Sequence, residues 1–221
     1  MKGLAFDRSG HNIFSCGDDN VINIYSVRKG LEQAANKKEN TTPVNRFTSE
    51  SSLQCIDCSY SDPYFATGGE LVQLWNEERG VPFQKCEWGQ ESVTKVKFNP
   101  VETNLIACTS MDRGLYIYDI RGKSALTKTI LMNKASCIAW NPQEPMNFSV
   151  GNEDGNAYTF DMRKIDEIKM IHKDHIGAIL DIDYSPTGSH IVTGSFDKTM
   201  RIFPTYSGVS TQLFYTKRMQ K

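Results

Sequence analysis

Two residues near the end of the chain, His175 and Asp197, are of the types that hydrolytic enzymes combine in a catalytic triad. A histidine held by a carboxylate can take a proton from a serine or cysteine nucleophile. No nucleophile accompanies this pair at a consistent spacing elsewhere in the chain. We therefore interpret both residues as structural and predict no catalytic residues.

Two pairs of side chains also have types that bind metal ions. Cys55 and Cys58 have the spacing of half a zinc site, but residues three apart on a strand point to opposite faces, and no second pair completes four ligands. His172 and His175 have the same spacing in a predicted loop, and we expect one structural and one solvated histidine. The sequence predicts neither a metal nor a cofactor.

The cysteines as a group indicate the redox environment of the chain. They are scattered through predicted strands, without the dense spacing of a small secreted domain, at Cys16, Cys55, Cys58, Cys86, Cys108 and Cys137. This distribution predicts free thiols in a reducing compartment.

Other sequence patterns that mark enzymes are missing from the 221 residues. No glycine-rich phosphate loop follows a strand, no Gly-x-Ser-x-Gly turn is present, and no repeated carboxylate pair suggests a glycosidase. The acidic dipeptide of Glu153 and Asp154 lies in a predicted turn, where an Asp side chain caps the backbone. The sequence therefore predicts a protein that is not an enzyme.

Composition narrows the choice of partners. The 25 basic and 26 acidic residues leave a net charge of -1, so no overall field attracts nucleic acid or an anionic membrane. No apolar run approaches a membrane span, and Asp7 and Arg8 interrupt the first residues before a signal-peptide core. We expect a soluble, intracellular protein with no membrane partner.

The residues that carry possible chemistry fall on a repeated pattern, clearest between Asp174 and Phe203. Short alternating apolar strands are closed there by turn residues at 185–188 and 195–198. Four more copies follow the same order, and about every 43 residues, after a longer first interval, a large aromatic residue ends the third strand: Tyr25, Trp75, Tyr118, Phe160 and Phe203. The period predicts one domain over 1–221 with units at 2–49, 51–88, 92–131, 134–171 and 175–217.

Each unit ends with a fourth strand that is more polar than the other three. These strands are predicted at 44–48, 82–87, 125–131, 166–171 and 211–216. The first unit also contains an insertion over 28–42 that is polar and has no period. We predict a mobile loop for this insertion.

The repeats resemble WD repeats. In the last unit, His175, Thr193, Asp197 and Phe203 occupy the positions of the structural tetrad of that family, with Phe203 where the family usually has Trp. The resemblance implies an all-β protein, a WD-repeat β-propeller, with five four-stranded blades present here as part of a seven-bladed ring.

A ring of which only five blades are present would expose the outer faces of its first and last units. We expect Leu4, Phe6 and Ile13 to contribute to the first exposed face. On the last exposed face we expect Ile182, Tyr184 and Ile191.

From Ser92 onward the chain resembles the Sof family of WD-repeat proteins. The similar segments are 96–103, 152–154, 158–163, 183–188, 201–204 and 215–220. This resemblance implies a nucleolar scaffold of the small-subunit processome, with processome proteins and small nucleolar ribonucleoprotein as partners in pre-18S ribosomal RNA processing. Members of the family end in a further blade and a basic tail, which this sequence lacks, so direct RNA contact is open.

Two further patterns suggest contact residues. The third and fourth units close with Asp119 and Arg121, and with Asp161 and Arg163, which resemble the WDxR box of cullin-RING ubiquitin-ligase substrate receptors. They leave two alternatives open, a ligase receptor that binds the ligase adaptor, and a generic protein-interaction adaptor. A basic group of Lys217, Arg218 and Lys221 beside Tyr215 is a candidate contact for RNA or an acidic partner.

Overall fold

The computed structural model describes residues 1–35, 42–86, 92–122 and 125–215. Within these residues, five antiparallel sheets each contain four strands that are consecutive in the chain. We call the sheets blades 1 to 5. This confirms the predicted all-β fold of five four-stranded blades, whereas a total of seven blades stays a prediction.

The strands of the five blades follow one another along the chain. Blade 1 contains β1 (Gly3–Phe6), β2 (Asn12–Cys16), β3 (Val21–Ser26) and β4 (Asn45–Thr48), and blade 2 contains β5 (Cys55–Cys58), β6 (Tyr64–Gly68), β7 (Val72–Asn76) and β8 (Gln84–Cys86). Blade 3 contains β9 (Val93–Phe98), β10 (Leu105–Ser110), β11 (Gly114–Asp119) and β12 (Ala125–Ile130). Blade 4 contains β13 (Ala135–Trp140), β14 (Asn147–Asn152), β15 (Ala157–Asp161) and β16 (Ile168–His172), and blade 5 contains β17 (Ile179–Tyr184), β18 (His190–Ser195), β19 (Thr199–Pro204) and β20 (Gln212–Tyr215).

The turn between the second and third strands is built alike in blades 3, 4 and 5. An aspartate accepts a hydrogen bond of 2.8–2.9 Å from the backbone N–H two residues later, in the order Asp112, Asp154 and Asp197. The residue after each aspartate has a left-handed backbone, with φ between 65° and 84°. The short acceptor side chain stabilises this turn, which confirms the capping role predicted for Asp154.

Blades 2, 3 and 4 are apolar on both faces, because one face meets the preceding blade and the other meets the following blade. Four buried clusters fill the interfaces between consecutive blades. Side chains alternate along a strand, so Cys55 packs toward blade 3 whereas Cys58 packs toward blade 1. The two thiols therefore lie in different interfaces, as their spacing on a strand predicted.

The blades form an arc whose inner edge is lined by the first strands. These strands pack in chain order, β1 against β5, β5 against β9, β9 against β13, and β13 against β17. In the described part of the chain, no comparable packing joins β17 to β1.

The prediction of a mobile loop over 28–42 was wrong for its first part. An α-helix, α1, spans Val27–Ala35 and contacts β3. Leu, Glu, Gln and Ala are strong helix formers, and they dominate the second half of this segment. The period of the strand repeats does not reveal this local propensity. Residues 36–41 lie outside the described part of the chain.

The exposed faces at the two ends of the arc were predicted correctly on one side only. On blade 1, Leu4 and Phe6 are 57% and 60% exposed, and Ile13 is half-buried. On blade 5, the predicted Ile182, Tyr184 and Ile191 are buried against blade 4. Because strands alternate, the free face of blade 5 carries the neighbouring residues instead, which are Leu180, Val192, Met200, Ile202 and Phe214.

Candidate functional site

The histidine and aspartate with which the sequence analysis began belong to a buried hydrogen-bond network in blade 5. His175 Nδ1 lies 2.9 Å from Asp197 Oδ2, and His175 Nε2 lies 2.7 Å from Thr193 Oγ1. When Nδ1 donates to the carboxylate, Nε2 of the neutral ring accepts from the Thr193 hydroxyl. The network fixes the loop before β17 to the turn between β18 and β19.

The environment of Asp197 shows what the network contributes. Burial raises the pKa of this carboxyl, but hydrogen bonds from Thr199, His175 and two backbone N–H groups outweigh it, so the pKa lies well below its usual range. The His175 side chain has no exposed surface. A histidine that no substrate can reach, bonded on both nitrogens, stabilises the blade and does not act as a base.

Phe203, the fourth predicted member of this set, contributes packing alone. Its ring is fully buried, with its centroid 6.3 Å from that of His175. Blade 2 has a tryptophan at the equivalent position, and Trp75 Nε1 donates to Thr67 Oγ1 at 2.9 Å. Phenylalanine has no N–H, so the Thr193 hydroxyl in blade 5 receives no hydrogen bond from the ring at this position.

The prediction of one structural and one solvated histidine was wrong, because both rings are buried. His172 lies on β16, and its Nδ1 and Nε2 are 2.8 Å and 3.0 Å from the Ser207 carbonyl and Thr159 Oγ1. Burial lowers the pKa of His172 below its ordinary value. A loop was predicted at His172, whereas β16 extends through this residue and its side chain is directed inward.

The cysteines show no sign of a reactive or metal-binding site. All six are free and buried, and burial raises the pKa of Cys55 to about 12. A thiol that stays protonated is a poor nucleophile and metal ligand. Over the described residues, no group of three His, Cys, Asp or Glu side chains is arranged to hold a metal ion.

The two predicted Asp–Arg pairs have the same geometry in blades 3 and 4. In each pair, the aspartate Oδ1 accepts from the arginine backbone N–H at 2.9–3.0 Å and from Nε at 2.9 Å, while Oδ2 accepts from Nη2 at 2.6 Å. The Arg163 side chain holds the pKa of Asp161 down at about 2, with partial burial opposing.

The two arginines are fixed without being buried. The Arg121 and Arg163 side chains are 70% and 69% exposed. A guanidinium has five N–H groups, and the aspartate uses two of them, so the Nη1 edge faces solvent. The pairs therefore hold two cations in defined orientations on consecutive blades, which lowers the entropy lost when a partner carboxylate binds.

Both arginines lie on the same face of the arc as the turns between first and second strands. The backbone N–H of Ile120, beside Asp119, donates to the Asn104 carbonyl at 2.9 Å, and that of Met162, beside Asp161, donates to the Met146 carbonyl at 2.8 Å. We call this surface the arginine face.

At its inner edge the arginine face contains a pocket of about 240 Å³ that the sequence analysis did not predict. Its rim holds residues from one repeat position in four consecutive blades, namely Tyr60, Pro100, Pro142 and Pro186. Trp140 and Tyr184 form apolar walls below the rim, and Lys97 and Asp183 lie on either side of Ala139. The recurrence of a proline or tyrosine after the first strands of blades 2 to 5 was a signal that the repeat alignment contained.

The lysine in this pocket belongs to an ion pair between blades 2 and 3, in which Asp57 is buried and Lys97 is half-buried. Lys97 Nζ lies 2.9 Å from Asp57 Oδ1, and the Phe98 backbone N–H donates to Asp57 Oδ2 at 2.8 Å. Burial opposes the charge on Lys97, but Asp57 raises the pKa of the lysine above its usual range. The pair fixes the relative position of two blades at the base of the pocket.

The basic group of Lys217, Arg218 and Lys221 lies outside the described residues. Tyr215, at the end of β20, is 77% exposed. None of the described helices has the length and apolar composition needed to cross a membrane.

Comparison with known proteins identifies the repeats. The family described as "WD domain, G-beta repeat" matches residues 2–26, 82–119 and 167–203. These ranges cover the first three strands of blades 1, 3 and 5, and the last two ranges also include the fourth strand of the preceding blade.

Similar full-length proteins come from animals and fungi. "DDB1- and CUL4-associated factor 13" of Xenopus tropicalis is 38% identical over 220 residues, which is 100% of this chain and 48% of that protein. "Protein SOF1" of Saccharomyces cerevisiae is 38% identical over 219 residues, 96% of this chain and 45% of that protein. The "DDB1- and CUL4-associated factor 13" of Mus musculus is 40% identical over 220 residues, which is 100% of this chain and 48% of that protein. The chain thus spans about half the length of the relatives that it matches.

Proposed function

Because this chain is a WD-repeat protein of the Sof family, we propose that it is a non-enzymatic scaffold in ribosome biogenesis. It binds proteins of the small-subunit processome, and through them small nucleolar ribonucleoprotein, during processing of pre-18S ribosomal RNA in the nucleolus. The observation that carries the proposal is the similarity to the protein named SOF1 along nearly the whole chain.

The arginine face supplies a physical basis for such binding. Two guanidinium groups are held by their own aspartates, and the nearby pocket offers proline and aromatic surface. Arginine and aromatic side chains contribute strongly to protein interfaces, because they bury large surfaces and still make directed hydrogen bonds. A partner segment with a carboxylate and an apolar side chain fits this combination.

The geometry also favours binding over catalysis. The candidate base His175 is buried and bonded on both nitrogens, and the six thiols are buried. These groups stabilise blades and their interfaces.

A second candidate function is that of a substrate receptor for a cullin-RING ubiquitin ligase. The observation that favours it is the identical geometry of the two Asp–Arg pairs, together with relatives whose name associates them with DDB1 and CUL4. A generic adaptor role remains as the third candidate, and it requires neither set of partners.

Affinity purification of the tagged chain from its own cells, followed by mass spectrometry and RNA sequencing, tests the three functions. Capture of processome proteins and small nucleolar RNA would support the scaffold. Capture of DDB1 without them would support the ligase receptor, and capture of neither set would overturn both functions. If the arginine face binds the partner, an Arg121→Ala/Arg163→Ala variant should capture less than about a tenth of the amount that the parent captures.

A matched control removes two arginines away from that face. Arg46 lies on β4 at the outer edge of blade 1, and Arg113 lies in the turn between β10 and β11 on the opposite face. The Arg46→Ala/Arg113→Ala variant should capture partners like the parent. Equal losses in both double variants would mean that charge, and not the arginine face, drives the capture.

A further inference from the structure

The arginine face carries a third charged side chain at the repeat position of Arg121 and Arg163. In blade 2 this position holds Glu78, which is exposed. We propose that Glu78 binds a basic side chain of the same protein segment whose carboxylates bind Arg121 and Arg163. The inference deepens the proposed function and rests on it, because it requires that the arginine face is the surface that holds a partner.

The turn that displays Glu78 has the geometry of the two Asp–Arg turns. Asn76 Oδ1 accepts a hydrogen bond from the Glu78 backbone N–H at 2.8 Å, and the two aspartates accept from the backbone N–H groups of their arginines at 2.9–3.0 Å. The backbone N–H of Glu77, beside Asn76, donates at 3.1 Å to the carbonyl of Pro63, in the turn between β5 and β6. Blades 2, 3 and 4 therefore each present one charged side chain in the same way on the arginine face.

The capping residue decides how much of each charge is already neutralised. In blades 3 and 4 an aspartate caps the turn and pairs with the arginine. Asn76 makes the same backbone hydrogen bond with a neutral amide, so it leaves the Glu78 carboxylate charged. Glu77 and Arg79, on either side of Glu78, carry opposite charges, and the turn as a whole is negative. Among the residues that the structure describes, no cation forms an ion pair with Glu78.

The order of the charges defines the chemistry of the partner. Blades 2, 3 and 4 are neighbours, so the face presents a carboxylate followed by two guanidinium groups. Sheets that pack face to face lie about 10 Å apart, and an extended chain covers this distance in about three residues. A segment that meets all three side chains therefore carries a basic residue and then two acidic residues, at intervals of about three residues or more.

The same order argues against a nucleic acid as the partner of this face. A phosphate backbone has one sign of charge throughout, so it would be attracted by the two arginines and repelled by Glu78. A mixed pattern also favours one direction of a protein segment, because the reversed segment would bring like charges together. Glu78 thus selects the partner and its direction, whereas the two arginines anchor it.

Selection from a displayed library of random peptides, each about 15 residues long so that it can span three blades, tests the charge order. The parent should enrich peptides with a basic residue followed by two acidic residues. The Glu78→Arg variant should enrich peptides in which an acidic residue replaces the basic one. The Arg121→Ala/Arg163→Ala variant should lose the preference for the two acidic residues.

The matched control is Glu70→Arg. It makes the same charge change in the same blade, at an exposed residue in the turn between β6 and β7 on the opposite face. It should enrich the same peptides as the parent. Because Glu70 and Glu78 are both exposed, each variant should keep its melting temperature within about 2 °C of the parent.

Fluorescence anisotropy gives the magnitude with one enriched peptide and a counterpart in which glutamate replaces the basic residue. The parent should bind the basic peptide more tightly than its counterpart, by a factor on the order of ten, because an attraction is exchanged for a repulsion. The Glu78→Arg variant should reverse this preference. Such a reversal requires direct pairing, since a merely structural role of Glu78 would weaken both peptides alike.

The possible failures are distinguishable. Enrichment that requires the two arginines but is unchanged by Glu78→Arg would overturn this inference and leave the arginine face as a binding surface. Enrichment that requires neither, or no enrichment, would overturn the arginine face as well. Single-stranded RNA that binds through Arg121 and Arg163, and that binds Glu78→Arg more tightly than the parent, would identify a phosphate partner and overturn the proposal.

Discussion

Replacement of Phe203 by alanine tests the strand register of blade 5. The phenylalanine ring is fully buried, with centroid distances of 5.4 Å to His172 and 6.3 Å to His175. Both histidine rings are fixed by hydrogen bonds, so they cannot collapse into the space left by the ring. We expect the free energy of unfolding to fall by about 3–5 kcal/mol. In a chain of this size that loss lowers the melting temperature by about 6–20 °C.

Thermal and denaturant unfolding of the parent and the variant would measure this loss. The matched control is Phe196→Ala, the same chemical change at a side chain that is 75% exposed. It should change the free energy of unfolding by no more than about 0.5 kcal/mol. A loss below about 1 kcal/mol for Phe203→Ala, or equal losses for the two variants, would refute the inward direction of Phe203 and with it the register of β19.

The remaining predictions concern hydrogen bonds and charges. Trp75→Phe leaves the buried hydroxyl of Thr67 without its donor and should cost about 1–3 kcal/mol in denaturant unfolding, so an unchanged midpoint would contradict the pairing. Folding lowers the pKa of Asp197, so the ionised carboxylate contributes stability above about pH 4, and this contribution is lost as the pH falls. The difference in the free energy of unfolding between the parent and Asp197→Asn should therefore become smaller from pH 7 to pH 3. A difference that stays constant with pH would argue against an ionised carboxylate. Arg121→Ala/Arg163→Ala should leave the melting temperature within about 2 °C of the parent, because both side chains are exposed; a larger fall would mean that the Asp–Arg pairs stabilise the blades.

The repeat pattern was sufficient to predict the blades, because each blade is encoded locally. The aromatic residue that ends every third strand marks the unit, and turn residues such as Asp197 mark its hairpins. Strand alternation also separated Cys55 from Cys58 correctly.

The incorrect predictions concern features that the pattern within one repeat does not determine. A strand between two sheets is apolar on both faces, so alternation could not tell which side of Tyr184 meets blade 4. The helix over Val27–Ala35 has no strand period, and His172 was assigned to a loop although β16 extends through it.

The candidate site was predictable only in part, for a related reason. Asp119 and Arg121 are two residues apart in the sequence, so their pairing could be predicted from their spacing. The pocket rim combines Tyr60 with Pro186, more than a hundred residues later, and only the curvature of the arc brings them together.

The construction of every sheet from consecutive strands has a consequence for local opening of the molecule. No strand is exchanged between distant parts of the described chain, so each blade is held by its own hairpins and by its neighbours. Blades 2, 3 and 4 each have two neighbours, while blades 1 and 5 have one. In such an array local unfolding starts at the units with fewest contacts. Amide hydrogen exchange in the isolated chain should therefore be slowest in β10 and β11 and become faster toward both ends of the arc.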